Sequence, residues 1–329
     1  MAGASPSWGG GRGAESSRPG GQVTAPRADH AVLLLAHGTA DSVDDIPEFL
    51  RYVTGGRPVP PQVVAEVKQR YALIGHSPMN EITARQGDLL ARELGQPVYV
   101  GMRNWKPFIP DVVRTMYADS ITRAVAICLA PQNSRTSVGL YRKAVEADAG
   151  PPFALDFVES WHDHPLLVQA FAEKLSAGWV SACREMSAKI PVLFTAHSVP
   201  QRTIADGDPY ETQTRETAAL VAGAAGLDAQ DWTFAFQSQG MSGGEWLGPS
   251  VEETIAGLKT EGHRALFVQP IGFLCDHVEV LYDIDIGFQE LARKQGLRLR
   301  RAESLNESPT LIAALAEIAR SRMSLEARR

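Results

Sequence analysis

The sequence predicts an α/β protein built as two similar domains, each a parallel sheet flanked by helices. Three observations carry this. Short apolar runs alternate with amphipathic stretches from about residue 30 onward. Two of the runs, "AVLLLAH" (Ala31–His37) and "PVLFTAH" (Pro191–His197), end identically in Ala-His. The pattern after one tip also returns after the other. A strand is followed by a loop with Trp and then Pro (Trp105 and Pro107; Trp246 and Pro249), a helix, and a strand that closes on Pro (Pro131; Pro270). Near-continuous apolar strands alternating with helices imply parallel sheets covered on both faces.

In chain order, residues 1–29 are Gly-, Ser-, Pro- and Arg-rich without apolar periodicity, and read as a disordered tail. They hold no apolar core of a secretory signal. Residues 30–165 form the first domain. Its strands are "AVLLLAH", "PVYVGM", "AVAICLAP" and "FALDFVES", and its helical stretches include "PPQVVAEVKQRYALI" and "TARQGDLLARELG". Residues 166–305 form the second, with strands "PVLFTAH", "WTFAFQS" and "ALFVQPIGF" and the helical "PSVEETIAGLKTEG". The helix at 306–325 is assigned back to the first domain. Asp163 is expected to cap the helix starting at Pro165, with His162 and His164 on the surface.

The chain has 329 residues, 44% hydrophobic and 21% charged, as ordinary globular proteins have. Its net charge of −6, without a basic stripe, argues against a nucleic-acid partner. Cys128, Cys183 and Cys275 are widely spaced, which suits a reducing, cytoplasmic setting. No run approaches the roughly 20 apolar residues of a membrane span. The signatures of other chemistries fail. Ala36 stands where a histidine phosphatase needs its arginine, no P-loop or GxSxG elbow occurs, and "GGGRG" follows no strand.

Ligands of open α/β sheets sit beyond the carboxyl ends of the strands, where His37 and His197 both fall. Neutral imidazole is a metal ligand and a base near neutral pH. The stretch "PIGFLCDHVEVLYDID" (Pro270–Asp285) then sets Asp276, His277, Glu279, Asp283 and Asp285 among apolar residues. Glu279 and Asp283 share a face if helical. Burying such a pair is costly unless it handles a proton or a charge. A solvated acidic helix start is the plain alternative.

Together "VTGGRPVPPQ", "RYALIGHSPMNEIT", "VGMRNWKPFIPDVV", "TAHSVP", "GDPYETQ", "WLGP" and "PIGFLCDHVEVLYD" resemble the ferrochelatase family. The resemblance implies two Rossmann-like, chelatase-type halves gripping a porphyrin between them. It implies insertion of ferrous iron, a lyase reaction of haem biosynthesis, with proton abstraction from the pyrrole nitrogens. His197 and Glu279 are then the catalytic and metal-handling pair, and Asp283 a proton relay. The similarity is greatest to the bacterial branch that converts coproporphyrin III to its iron complex. In that branch Arg70, Ser77, Ser137 and Tyr141 correspond to propionate-binding positions. Protoporphyrin IX as substrate, or a non-catalytic haem carrier, are the alternatives.

The sequence departs from the family at several points. "AHGTA" puts His37 where the branch often has a tyrosine, which makes His37 the expected axial ligand of product iron, lost below about pH 6 as imidazole protonates. Gly287 interrupts the acidic ladder, Thr54-Gly55 replaces an arginine pair, and "GHSP" is one residue short. No tightly bound cofactor is expected. A [2Fe–2S] cluster needs about four cysteines, and the chain has three. A monomer is expected, in transient contact with the next haem-pathway enzyme.

Overall fold

The computed structural model describes residues 29–147, 150–239 and 244–326. The expected N-terminal tail, save Asp29, lies outside the described residues. The first half comprises β1 (His30–Ala36), α1 (Ile46–Val53), α2 (Pro61–Ile74), α3 (Met79–Leu94), β2 (Val98–Met102), α4 (Ile109–Ala118), β3 (Arg123–Cys128), α5 (Val138–Val145) and β4 (Ala154–Val158). Helix α6 (Pro165–Met186) crosses to the second half. There follow β5 (Val192–His197), α7 (Gln201–Ala205), α8 (Tyr210–Ala224), β6 (Trp232–Gln237), α9 (Val251–Thr260) and β7 (Ala265–Pro270). A π-helix (Glu279–Phe288), α10 (Gln289–Lys294), β8 (Arg298–Arg301) and α11 (Pro309–Glu326) complete the chain.

Both sheets are parallel and four-stranded, with orders β2-β1-β3-β4 and β6-β5-β7-β8. The duplication read from the strand tips is therefore a duplication of topology. The Trp-Pro loops correspond too, and each holds a cis X-Pro peptide, Lys106–Pro107 and Gly248–Pro249.

Alternation along the strands sets the core. Leu33, Leu35 and Ala126 face α4 and α5, and Leu193, Leu266 and Val268 face α9 and the π-helix. The opposite faces, Val32, Leu34 and Ile127 in one sheet and Phe194 and Phe267 in the other, share one apolar cluster with α6 and α11. Helix α11 packs on α3, α6 and β3, so the C-terminus returns to the first half. A fourth cluster joins α1 and α2 through Ile46, Phe49, Leu50 and Tyr71 to Trp105, with Val278 packed against it from the second half.

Two local expectations are corrected. The cap of α6 is His164, whose Nδ1 accepts from the Leu166 amide at 3.3 Å, and not Asp163. His162 and His164 are not surface residues, since their side chains are 12% and 15% exposed. His162 bridges the halves, with Nδ1 2.8 Å from Ser160 Oγ and Nε2 3.0 Å from Glu216 Oε2 on α8. No helix among the described residues is long and apolar enough to cross a membrane.

Candidate active site

The tip of β5 builds the site. A carbonyl can only accept, so the 2.5 Å contact between His197 Nδ1 and Ser198 O places the proton on Nδ1. His197 Nε2 faces Glu279 Oε1 at 3.7 Å. Glu279 opens the π-helix, and its other oxygen lies 3.9 Å from His277 Nε2. His277 is anchored the same way, with Nδ1 3.0 Å from Cys275 O and its ring edge-on to Phe273. Glu279 is thus flanked by two imidazoles with fixed orientations.

One turn on, Asp283 Oδ2 accepts from Ser238 Oγ at 2.6 Å, and its Oδ1 lies 3.6 Å from Arg70 Nη1. The environments of the two carboxylates differ in sign. Burial pushes the carboxyl of Glu279 up, but His197, His277, His37 and Arg70 outweigh it and hold the group below its usual range. Burial raises Asp283, and the neighbouring Glu279 charge adds to it against the pull of Ser238 and Arg70. Adjacent carboxyls with opposed proton affinities can pass a proton in one direction. Asp276 and Asp285, read with them from the sequence, do something else. Arg301 holds Asp285 through Nε and Nη2 at 2.6 and 2.8 Å and reaches Asp276 at 3.2 Å.

His37 follows β1 and faces the site from the first half. Its Nδ1 lies 2.9 Å from Gly38 O and its Nε2 2.9 Å from the side-chain amide of Asn104. Both ring nitrogens therefore have partners, and ligation of a metal requires Asn104 to swing aside. Burial, then the Arg103 charge, push the pKa of His37 down to about 4. The ring is therefore held neutral well below the pH of about 6 at which protonation was expected. Gly38, at φ +77°, makes the sharp turn possible, and a Cβ there would meet Met102 and Trp105 at 3.0 Å.

The four candidate propionate contacts divide by environment. Arg70 is 44% exposed, and its guanidinium stacks 5.1 Å from the Tyr282 ring. Ser77 Oγ and Ser137 Oγ are buried without a hydrogen-bond partner among the described residues. Tyr141 is buried, with Arg103 5.4 Å above its ring. Among the described residues no group of three or more His, Cys, Asp or Glu is arranged to hold a metal.

Sequence reasoning gave no separate role to His277, Arg103, Asn104 or Ser238. The first three lay inside quoted motifs, "DHVEV" and "GMRNW". Ser238 carried no signal, because its placement depends on a φ of +59° that turns it toward Asp283. The network behind the His37 turn was equally silent. There Thr39 Oγ1 contacts Tyr71 Oη at 2.5 Å, and Asn80 clamps the Thr39 backbone and Asp41.

Two α/β halves of equal topology, each offering a histidine at a strand tip, make a chelatase-type fold. The fold aligns with SirB from Bacillus subtilis with Fe3+ at a TM-score of 0.54 and 11% identity, covering 88% of this chain and 94% of that one. The chain belongs to the ferrochelatase family, whose model, described as Ferrochelatase, matches residues 29–323. It is 56% identical over 306 residues to the ferrochelatase of Acidobacterium capsulatum, covering 88% of this chain and 94% of that protein. It is 35% identical over 306 residues to the coproporphyrin III ferrochelatase of Geobacillus sp. strain WCH70, covering 89% and 98%. Its reaction is the family's, iron insertion into a porphyrin.

Proposed function

We propose that the chain inserts ferrous iron into coproporphyrin III, with Glu279 and His197 taking the pyrrole protons. The observation that carries the catalytic part is the Glu279 carboxylate set 3.7 Å from His197 Nε2. Insertion exchanges two N–H protons for a dication. Glu279, held ionised, accepts a proton, and Asp283, with its raised affinity, takes it onward toward Ser238. The Nε2 of His197 is the softer donor and receives the metal or the second proton. The flat apolar macrocycle is bound by burial in the cleft, and bending it would bare its nitrogen lone pairs.

The buried, unpartnered hydroxyls of Ser77 and Ser137, with the half-exposed Arg70, support the choice of coproporphyrin. Donors left unsatisfied by the protein are suited to carboxylates, of which coproporphyrin has four and protoporphyrin two. Tyr141, buried under Arg103, is the fourth proposed propionate contact. His37 becomes the axial ligand of product iron only after exchanging Asn104 for metal. We further propose a cytoplasmic monomer without a tightly bound cofactor or iron–sulfur cluster.

The test follows the Soret band of coproporphyrin III and protoporphyrin IX with ferrous iron for wild type, His197→Ala and Glu279→Ala. A higher kcat/KM for coproporphyrin, and a loss of roughly 10²–10⁴-fold in kcat for each variant with porphyrin binding kept, is expected. Near-normal turnover in either variant refutes the catalytic pair. Equal or greater kcat/KM for protoporphyrin refutes the substrate.

A further inference from the structure

We infer that Asp208 and Tyr210 are positioning residues that couple the seam between the halves to His197. The inference rests on His197 being the base proposed above.

The peptide between His197 and Ser198 is pinned at both edges. Its carbonyl accepts from Tyr210 Oη at 2.9 Å, and its N–H donates to Gln237 O at 2.7 Å. The ring hangs from the next carbonyl through Nδ1, so the plane of this peptide sets where Nε2 points. Gln237 is part of the same sheet. Tyr210 is not, and its position depends on Asp208. One oxygen of Asp208 accepts from the Tyr210 amide at 3.1 Å. The other accepts from the first half, from Arg135 N at 2.8 Å and Ser134 Oγ at 3.2 Å. Arg135 strengthens the seam through Asp206, at 2.5 Å.

The two histidines differ in this respect. The His37 carbonyl is held by the Asn104 amide, 2.9 Å away within its own half. Only His197 depends on a side chain tied across the halves. The tying loop also carries Ser137, whose amide donates to Ser134 O at 3.1 Å. A change at Ser137 therefore has a short covalent and hydrogen-bonded route, through Ser134, Asp208 and Tyr210, to the imidazole. Small displacements of a catalytic group suffice to change rate strongly. A route of this kind is established only by coupling measurements.

The experiment compares wild type, Tyr210→Phe, Ser134→Ala, the double variant and His197→Ala. It uses ferrous iron and whichever porphyrin the wild type turns over faster, and records the ¹⁵N resonances of the His197 ring. Tyr210→Phe is expected to lower kcat roughly tenfold, leave KM within about twofold and shift the His197 ring nitrogens. Ser134→Ala gives the same pattern more weakly, and the double variant is no slower than Tyr210→Phe, because both cut one route. Wild-type kcat and unshifted resonances in Tyr210→Phe overturn the coupling, as do fully additive losses. If Tyr210→Phe fails to fold, Ser134→Ala decides alone, since it alters neither the second half nor His197. A shifted ring and reduced kcat there uphold the coupling, and neither change overturns it. Turnover retained in His197→Ala overturns the catalytic reading itself.

Discussion

At the scale of single residues, the burial of His37 has a consequence for stability. Its folded pKa of about 4 lies below the unfolded value of about 6.5. Above pH 6.5 neither state holds the proton and the residue is neutral to stability. As pH falls below 6.5 the unfolded chain takes up a proton that the folded chain refuses. Stability then declines by up to about 1.4 kcal/mol per pH unit until pH 4. The groups whose charges reach the ring are Arg103 and His277, which oppose protonation, and Glu279, which favours it. His164, also lowered by burial, adds to the same slope. Urea unfolding between pH 4 and 7 should show this decline in wild type and a shallower one in His37→Asn. An unchanged slope would mean that His37 is not held neutral. That His37, His197, Glu279 and Asp283 come together was legible in the sequence, since strand tips and interleaved acids are one-dimensional patterns. That Nε2 of His37 already has a partner was not, because Asn104 arrives from a different strand end.

At the scale of elements, the π-helix depends on a knot behind it. Arg301, 15% exposed, binds Asp285 on the helix and Asp276 in the loop before it. Ser304 and Asn306 complete the shell of Asp276, at 2.7 and 2.9 Å. Removing the cation leaves two carboxylates half-buried and unpaired. Arg301→Met should therefore cost roughly 2–3 kcal/mol, less than the 3–5 of a fully buried pair because Asp285 is one-third exposed. Adding Asp285→Asn should recover part of that loss. Denaturant midpoints measure both, and a single variant as stable as wild type would show the knot to be ornamental. This element was only half legible. The spacing of Glu279 and Asp283 gave a shared face, but not the wider π turn. Strand β8, "RLRR", reads as basic and polar, and only its pairing with β7 makes it a strand. At Gly287 the ladder ends with room to spare, since a Cβ would find only Tyr282 O at 3.7 Å.

At the scale of the whole molecule, the proposed labour is divided between the halves. The seven named strands and the duplication were readable from periodicity, whereas the apolar cluster shared by both sheets was not, because it needs helices α6 and α11 placed between them. Arg70, Ser77, Ser137 and Tyr141 all belong to the first half, and His197, Glu279 and Asp283 to the second. If the first half grips carboxylates and the second moves protons, losses in the first should appear in KM and losses in the second in kcat.

Ser77 and Ser137 make the sharpest case, because each buries a hydroxyl that no described group satisfies. An unpaired buried hydroxyl opposes folding, whereas one bonded to a carboxylate favours binding. Ser77→Ala with Ser137→Ala should thus fold at least as stably as wild type while raising KM for coproporphyrin III about tenfold for each hydroxyl lost. The kcat should stay within about threefold, because Ser137→Ala keeps the backbone amide that ties Ser137 to Ser134 and each variant removes only a hydroxyl. Protoporphyrin IX, with half the carboxylates, should lose less, so the preference between the two substrates narrows. Melting temperature and steady-state kinetics on both porphyrins decide the matter together. Lower stability with unchanged KM would mean that the hydroxyls serve the fold. Reduced kcat at constant KM would mean that the division of labour between the halves is wrong.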